Sequence, residues 1–147
     1  MDDRCLIICN EPGLEPCYQT AGSAGADIRA YLPDGPIVLL PGSIAMVPTG
    51  IRLAIPEGFE AQVRPRSGLA IKHGITVINS PGTIDSDYRG DVLVGLVNLS
   101  SQSYEIHHLD RIAQMVFARY HRMEFKVVDA LDQTQRAEGG FGSSGRT

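Results

Sequence analysis

The chain has 147 residues, 43% hydrophobic and 20% charged, with a net charge of −4, a size and balance that suit one soluble globular domain with a real core and are short for two. The acidic sign argues against nucleic acid or an anionic membrane surface as partner. No window approaches a transmembrane span, and the start Met1-Asp2-Asp3-Arg4 is unlike a signal or transit peptide.

Sixteen glycines and nine prolines predict many turns and short strands rather than long helices. Cys5, Cys9 and Cys17 crowd the start. A zinc site needs about four ligands in recognisable pairs, and His73, His107, His108 and His121 form no such pattern with them. Reduced structural thiols follow, hence a cytoplasmic address (nuclear is open in a eukaryotic host) and no secretion.

Residues 37–40 read as a short strand ended by Pro41-Gly42, and residues 44–55 alternate while bending around Pro48-Thr49-Gly50. A strand over 59–64 follows the turn at Pro56-Glu57-Gly58. Residues 67–73 predict one or two helical turns, capped by Ser67 and stopped by Gly74. The β-branched runs 75–78 and 92–97 read as buried strands. Residues 104–107, 112–120 and 125–128 complete the set, with His107-His108 on a half-exposed strand. Turn signals at short intervals point to a sandwich or barrel. The apolar pattern stops at Gln133, which predicts one β domain over 1–132 and a flexible tail over 133–147.

Three segments carry chemistry. Between the runs 75–78 and 92–97 lies a polar lip, Asn79-Ser80-Pro81-Gly82-Thr83-Ile84-Asp85-Ser86-Asp87-Tyr88-Arg89-Gly90. A simple hairpin needs only two to five turn residues, about half of that or less. The lip sets carboxylates, a tyrosine and an arginine on a strand-held loop, where sites tend to lie; a solvated turn built on Asp is the plainer reading. Arg66 offers a bidentate fork and Ser67 a hydroxyl, with unpaired amides following at a helix start, a plausible phosphate cradle or simply a capped surface turn. The tail sets Arg136 ahead of Phe141 among glycines, which suits either a disordered end or a lid closing over a nucleotide. Asp27 and Gln114, each within an apolar stretch, are weak signals alone.

Taken together, Ala24-Gly25-Ala26-Asp27, Arg66-Ser67-Gly68-Leu69-Ala70, Gly82 to Gly90 of the lip, Arg111-Ile112-Ala113-Gln114, and Arg136 through Gly145 resemble the five motifs of the trimeric deoxyuridine triphosphatase (dUTPase) family. The likeness runs from about residue 20 to the end, and its third and fifth motifs are highly specific. Departures are mild: Ala26 stands where Tyr is frequent, Ala137 where Gly is common, and Ser144 where Thr is usual.

The resemblance implies an all-β, jelly-roll-like barrel or sandwich of the β-clip kind, with one short helix and a flexible C-terminal lid. It implies a homotrimer whose sites are shared between chains, with no nucleic acid and no membrane. The implied reaction is hydrolysis of dUTP to dUMP and pyrophosphate with Mg²⁺, which limits uracil incorporation into DNA and supplies dUMP for dTMP synthesis. Arg66, Ser67 and the Gly68 amide would grip phosphates, with Gln114 near the α-phosphate and Arg136 arriving with the tail. Asp27 would meet Mg²⁺ through water, and Asp85 would activate the water that attacks the α-phosphorus. Asn79, Gly82, Thr83, Ile84 and Leu93 would read uracil, Tyr88 would exclude a 2′-hydroxyl, and Phe141, flanked by Gly142 and Ser143, would stack on the base. Two rivals stay open: a dCTP deaminase, which needs a glutamate that the lip lacks, and a non-catalytic β-sandwich with the tail as linker.

Overall fold

Alternating β-branched residues are stable as strands only when one face is buried against another layer, and two sheets supply that burial here. The computed structural model describes residues 4–140. In chain order the elements are β1 (Leu6–Cys9), β2 (Cys17–Tyr18), β3 (Ala26–Arg29), β4 (Ile37–Leu39), β5 (Ile44–Ala54), β6 (Phe59–Arg64), α1 (Ser67–His73), β7 (Ile75–Val77), β8 (Gly82–Ile84), β9 (Asp91–Asn98), β10 (Tyr104–Ile106) and β11 (Arg111–Arg119). One sheet runs β1-β5-β9-β7 and the other β2-β3-β11-β6-β8, with β10-β4 as a separate pair. All pairings are antiparallel.

The core joins both sheets. Val47, Ile51, Val94 and Leu96 come from one, and Ile28, Ala61, Ala113 and Met115 from the other, all essentially inaccessible to solvent. β9 lies second from the edge of its sheet and buries six of its eight residues. At its end Asn98 is fully buried but satisfied. Its Nδ2 donates to the carbonyls of Leu39 and Gln102, and its Oδ1 accepts from the Ser100 amide and hydroxyl. Those bonds tie the four-stranded sheet to β4 and to the loop before β10.

The all-β expectation holds, and the strands over 37–40, 44–55, 59–64, 75–78, 92–97, 104–107 and 112–120 match elements of the structure within two residues at each end. The expected bend at Pro48-Thr49-Gly50 is a register shift between β5 and β9. Four expectations need correction. The lip is not loop throughout, because Gly82–Ile84 forms β8 and pairs with β6 in the opposite sheet. The N-cap of α1 is Arg66 and not Ser67, and no side chain caps it; Gly74 does end the helix, in the left-handed conformation. His107 and His108 lie just past β10, where His108 Nδ1 accepts the Leu32 amide at 3.0 Å and Nε2 meets Glu11 at 2.7 Å. Residues 125–128 form no strand: Phe125 and Val127 are more than nine-tenths exposed. An extended segment becomes a strand only beside an unpaired edge, and within the described chain this one has none. No helix among the described residues is long and apolar enough to cross a membrane.

Replacing Asn98 by Leu puts a bulkier, apolar side chain into a fully buried site and takes the Asn98 partner from the Leu39 carbonyl and the Ser100 amide, while the Gln102 carbonyl keeps the Ser100 hydroxyl. The expected loss is about 3 kcal/mol of stability, read as a lower urea midpoint with an unchanged slope.

Candidate active site

Strand β11 gathers three of the sequence segments that looked weak apart. It pairs with β3 on one side and β6 on the other, so that Gln114 lies opposite both Asp27 and Arg64. Arg66, two residues past Arg64, turns back: its Nε donates to Asp27 Oδ1 at 3.0 Å and its Nη1 to the Arg111 carbonyl at 3.2 Å. Arg111 Nη1 donates to Asp27 Oδ2 at 3.2 Å. The Asp27 carboxylate is thus nearly buried between two guanidinium groups, an arrangement that tolerates a charge in a low-dielectric setting. Gln114 Nε2 donates to the Pro65 carbonyl at 2.9 Å, and a Cβ at Gly25 would lie 2.1 Å from Gln114 Oε1. Gly25 therefore makes room for the glutamine amide. Ser67 and Gly68 open α1 on the exposed side of this cluster, with no carboxylate in the helix's first turn.

The second group lies at the open edge of the sandwich, where residues 78–81 carry the chain from β7 in one sheet to β8 in the other. Between β8 and β9 is a small cavity of about 70 Å³ whose walls include Asn79, Gly82, Thr83, Ile84 and Leu93. It is bordered by a cavity of about 290 Å³ that shares Thr83, Ile84 and Leu93 and adds Met46, Asp85 and Tyr88. β8 is the last strand of its sheet: β6 takes one of its edges, and the other is unpaired among the described residues. Asp85 is exposed directly after it. On its far side is a polar cleft of about 700 Å³, with Glu57, Glu60, Tyr120 and Arg122 among its walls.

The structure therefore brings Asp27, Arg66 and Gln114 together, and Asn79, Gly82, Thr83, Ile84, Asp85, Tyr88 and Leu93 together, but not the two groups. None of Asp27, Arg66, Ser67 or Gln114 lines the cavities at Asp85. Arg136 is exposed and donates from Nε to the Gly139 carbonyl at 2.9 Å. Phe141, Gly142 and Ser143 lie outside the described residues. Arg111, quoted from the sequence without a role, is the second partner of Asp27; a contact spanning 84 residues leaves no local signal. No cluster of three or more His, Cys, Asp or Glu among the described residues could hold a metal ion. A single carboxylate between arginines fits a metal that arrives already bound to phosphate oxygens, not a resident one.

The three cysteines are free. Burial pushes the thiols of Cys5 and Cys9 up, more than the Ala54 backbone hydrogen bond lowers the first, and Glu15 adds to the rise in the second.

A model of the dUTPase family matches residues 12–145 of this chain. The chain is 60% identical over 130 residues to the deoxyuridine 5′-triphosphate nucleotidohydrolase of Roseobacter denitrificans, covering 88% of this chain and 86% of that protein. It is 56% identical over 131 residues to the enzyme of that name from Caulobacter vibrioides, covering 88% and 84%. Among solved structures, the Staphylococcus bacteriophage 80alpha dUTPase with dUPNHPP superposes with a TM-score of 0.86 at 25% identity, covering 99% of this chain and all of that one.

A raised thiol pKa leaves less thiolate at a given pH. At pH 7 a maleimide should therefore label exposed Cys17 first, and Cys5 and Cys9 should gain on it as the pH rises towards 9, as mass spectrometry of the labelled peptides would record.

Proposed function

Because this chain belongs to the dUTPase family and is a dUTP diphosphatase, we propose that it converts dUTP to dUMP and pyrophosphate by in-line attack of a water activated by Asp85 on the α-phosphorus. The observation that carries this reading is the free edge of β8. An edge strand presents unpaired N–H and C=O groups in fixed alternation, and uracil offers the matching set. Asp85 follows that edge by one residue, so the groups that read the base and the group that moves a proton share one rigid element. Asn79, Gly82, Thr83, Ile84 and Leu93 enclose the base. Cytosine would leave buried donors facing donors, a costly mismatch, and a close wall excludes the thymine methyl. Tyr88 lies against the sugar, where a ribose 2′-hydroxyl has no room.

The triphosphate needs positive charge that an acidic chain must supply locally. Arg66 supplies it, Ser67, the Gly68 amide and Gln114 add neutral hydrogen bonds to the phosphates, and Arg136 brings a second positive charge when the tail, residues 133–147, closes with Phe141 stacked on the base and Gly142 and Ser143 among its substrate-binding residues. The carboxylate of Asp85 orients the water and takes its proton. Asp27 would hold Mg²⁺ through water, and the ion would supply charge neutralisation to the triphosphate. No covalent nucleophile is needed; positioning and electrostatics suffice.

The separation of the Asp85 lip from the Arg66 cluster within one chain supports a homotrimer in which neighbouring copies complete each site. The exposed apolar residues Phe125, Val127 and Leu131 support it too, since solvated apolar segments of this size ordinarily find a cover. On this reading the enzyme keeps uracil out of DNA and supplies the precursor of dTMP. Free thiols and a nucleotide substrate favour the cytoplasm.

Asp85→Asn should keep dUTP binding and lose roughly a thousandfold or more in kcat, within the range of a lost general base; kcat close to the parent's would remove Asp85 from that role. Deleting residues 136–147 should leave a folded assembly of unchanged mass with little activity, and an active truncation would reduce the tail to a passive end.

A further inference from the structure

Gly90 closes the lip, and its backbone does not call for glycine, because its φ lies outside the left-handed region. Space is what sets the position apart. A Cβ built there would lie 2.4 Å from Tyr88 Oη, 2.6 Å from Cζ and 3.0 Å from Cε2. The Tyr88 ring is therefore seated on bare backbone, and its hydroxyl donates to the Asp91 carbonyl at 3.0 Å.

The chain that carries the ring is held from behind. Arg89 Nη1 donates to the carbonyls of Ser86 and Tyr88 at 2.6 and 2.9 Å, and the Tyr88 amide donates to the Asp85 carbonyl at 3.2 Å. A methyl group at position 90 thus meets a fixed backbone and a movable ring. The ring must yield, and it has somewhere to go, since Tyr88 is 47% exposed. Turning outwards costs little stability but opens the wall that Tyr88 forms with Met46 and Leu93.

We infer that Gly90 is a specificity-determining position: its missing side chain seats the Tyr88 ring, and through that ring it keeps ribonucleotides out. The inference rests on the proposed reading of Tyr88 as the wall against the sugar. It adds that the wall's placement depends on a residue that touches no substrate. Gly90 is a positioning residue, acting through Tyr88 alone.

The test uses the full chain with Mg²⁺ and compares Gly90→Ala, Tyr88→Ala and the double variant. The readouts are kcat/KM for dUTP and for UTP, together with thermal unfolding. Gly90→Ala should unfold near the parent temperature while its preference for dUTP over UTP falls by about tenfold or more. In the Tyr88→Ala background the same substitution should change the preference by less than about twofold, because the ring it displaces is gone. A Gly90→Ala protein that keeps full preference while Tyr88→Ala loses it overturns the inference and spares the reading of Tyr88. Equal effects in both backgrounds also overturn it. If Tyr88→Ala itself keeps full preference, the reading of Tyr88 fails and the inference falls with it. Should Gly90→Ala alone fail to fold, a folded double variant upholds the ring clash, whereas failure of both shows that the backbone requires glycine and overturns it.

Discussion

The pairing of β11 with β3 on one side and β6 on the other is the constraint from which the rest follows. It fixes Gln114 opposite Asp27 and lets the chain leaving β6 return Arg66 to the same carboxylate. Buried charges are stable only when paired and hydrogen-bonded, and here one carboxylate holds two arginines from distant segments. The cluster thereby gains a fixed geometry before any ligand arrives. In the proposed reaction that preorganisation matters more than acid–base strength, since phosphoryl chemistry depends chiefly on positioning and charge.

The same sheet ends in β8, and its free edge faces the other sheet across the small cavity. Backbone groups are poor at telling one side chain from another but good at telling uracil from cytosine, because their donor and acceptor order cannot change. In the proposed reading side chains then refine the choice: Asn79 at the base, and Tyr88, seated on Gly90, at the sugar. One consequence is that the proposed base-reading and proton-moving groups sit on one edge of the fold while the phosphate cluster sits elsewhere. A single chain, read this way, carries two halves of different sites.

Much of the fold is legible in the sequence. β6 was read to the residue because alternation between a turn and a proline bounds it on both sides. β1 and β2 were not, since a four-residue and a two-residue edge strand with exposed faces leave no alternation to read. Residues 125–128 have the composition of a strand, but pairing is a tertiary property and composition does not report it. In the lip, the residue types point to a candidate site. What stayed hidden was that Gly82–Ile84 crosses to the other sheet, because the crossing is decided by which edge is free. Asp27 and Gln114 were recognised through resemblance to a family, whereas the salt link from Asp27 to Arg111 depends on register between strands far apart in sequence.

A site assembled between copies can be tested by mixing two crippled proteins. Asp85→Asn spoils the lip and Arg66→Ala spoils the phosphate cluster, and each alone should be nearly inactive towards dUTP. Unfolding and refolding them together in equal amounts should restore pyrophosphate release to about a quarter of the parent rate, because random assembly joins an intact lip to an intact cluster that often. Activity no higher than that of either variant alone would contradict the account, placing both groups in a site made by one chain.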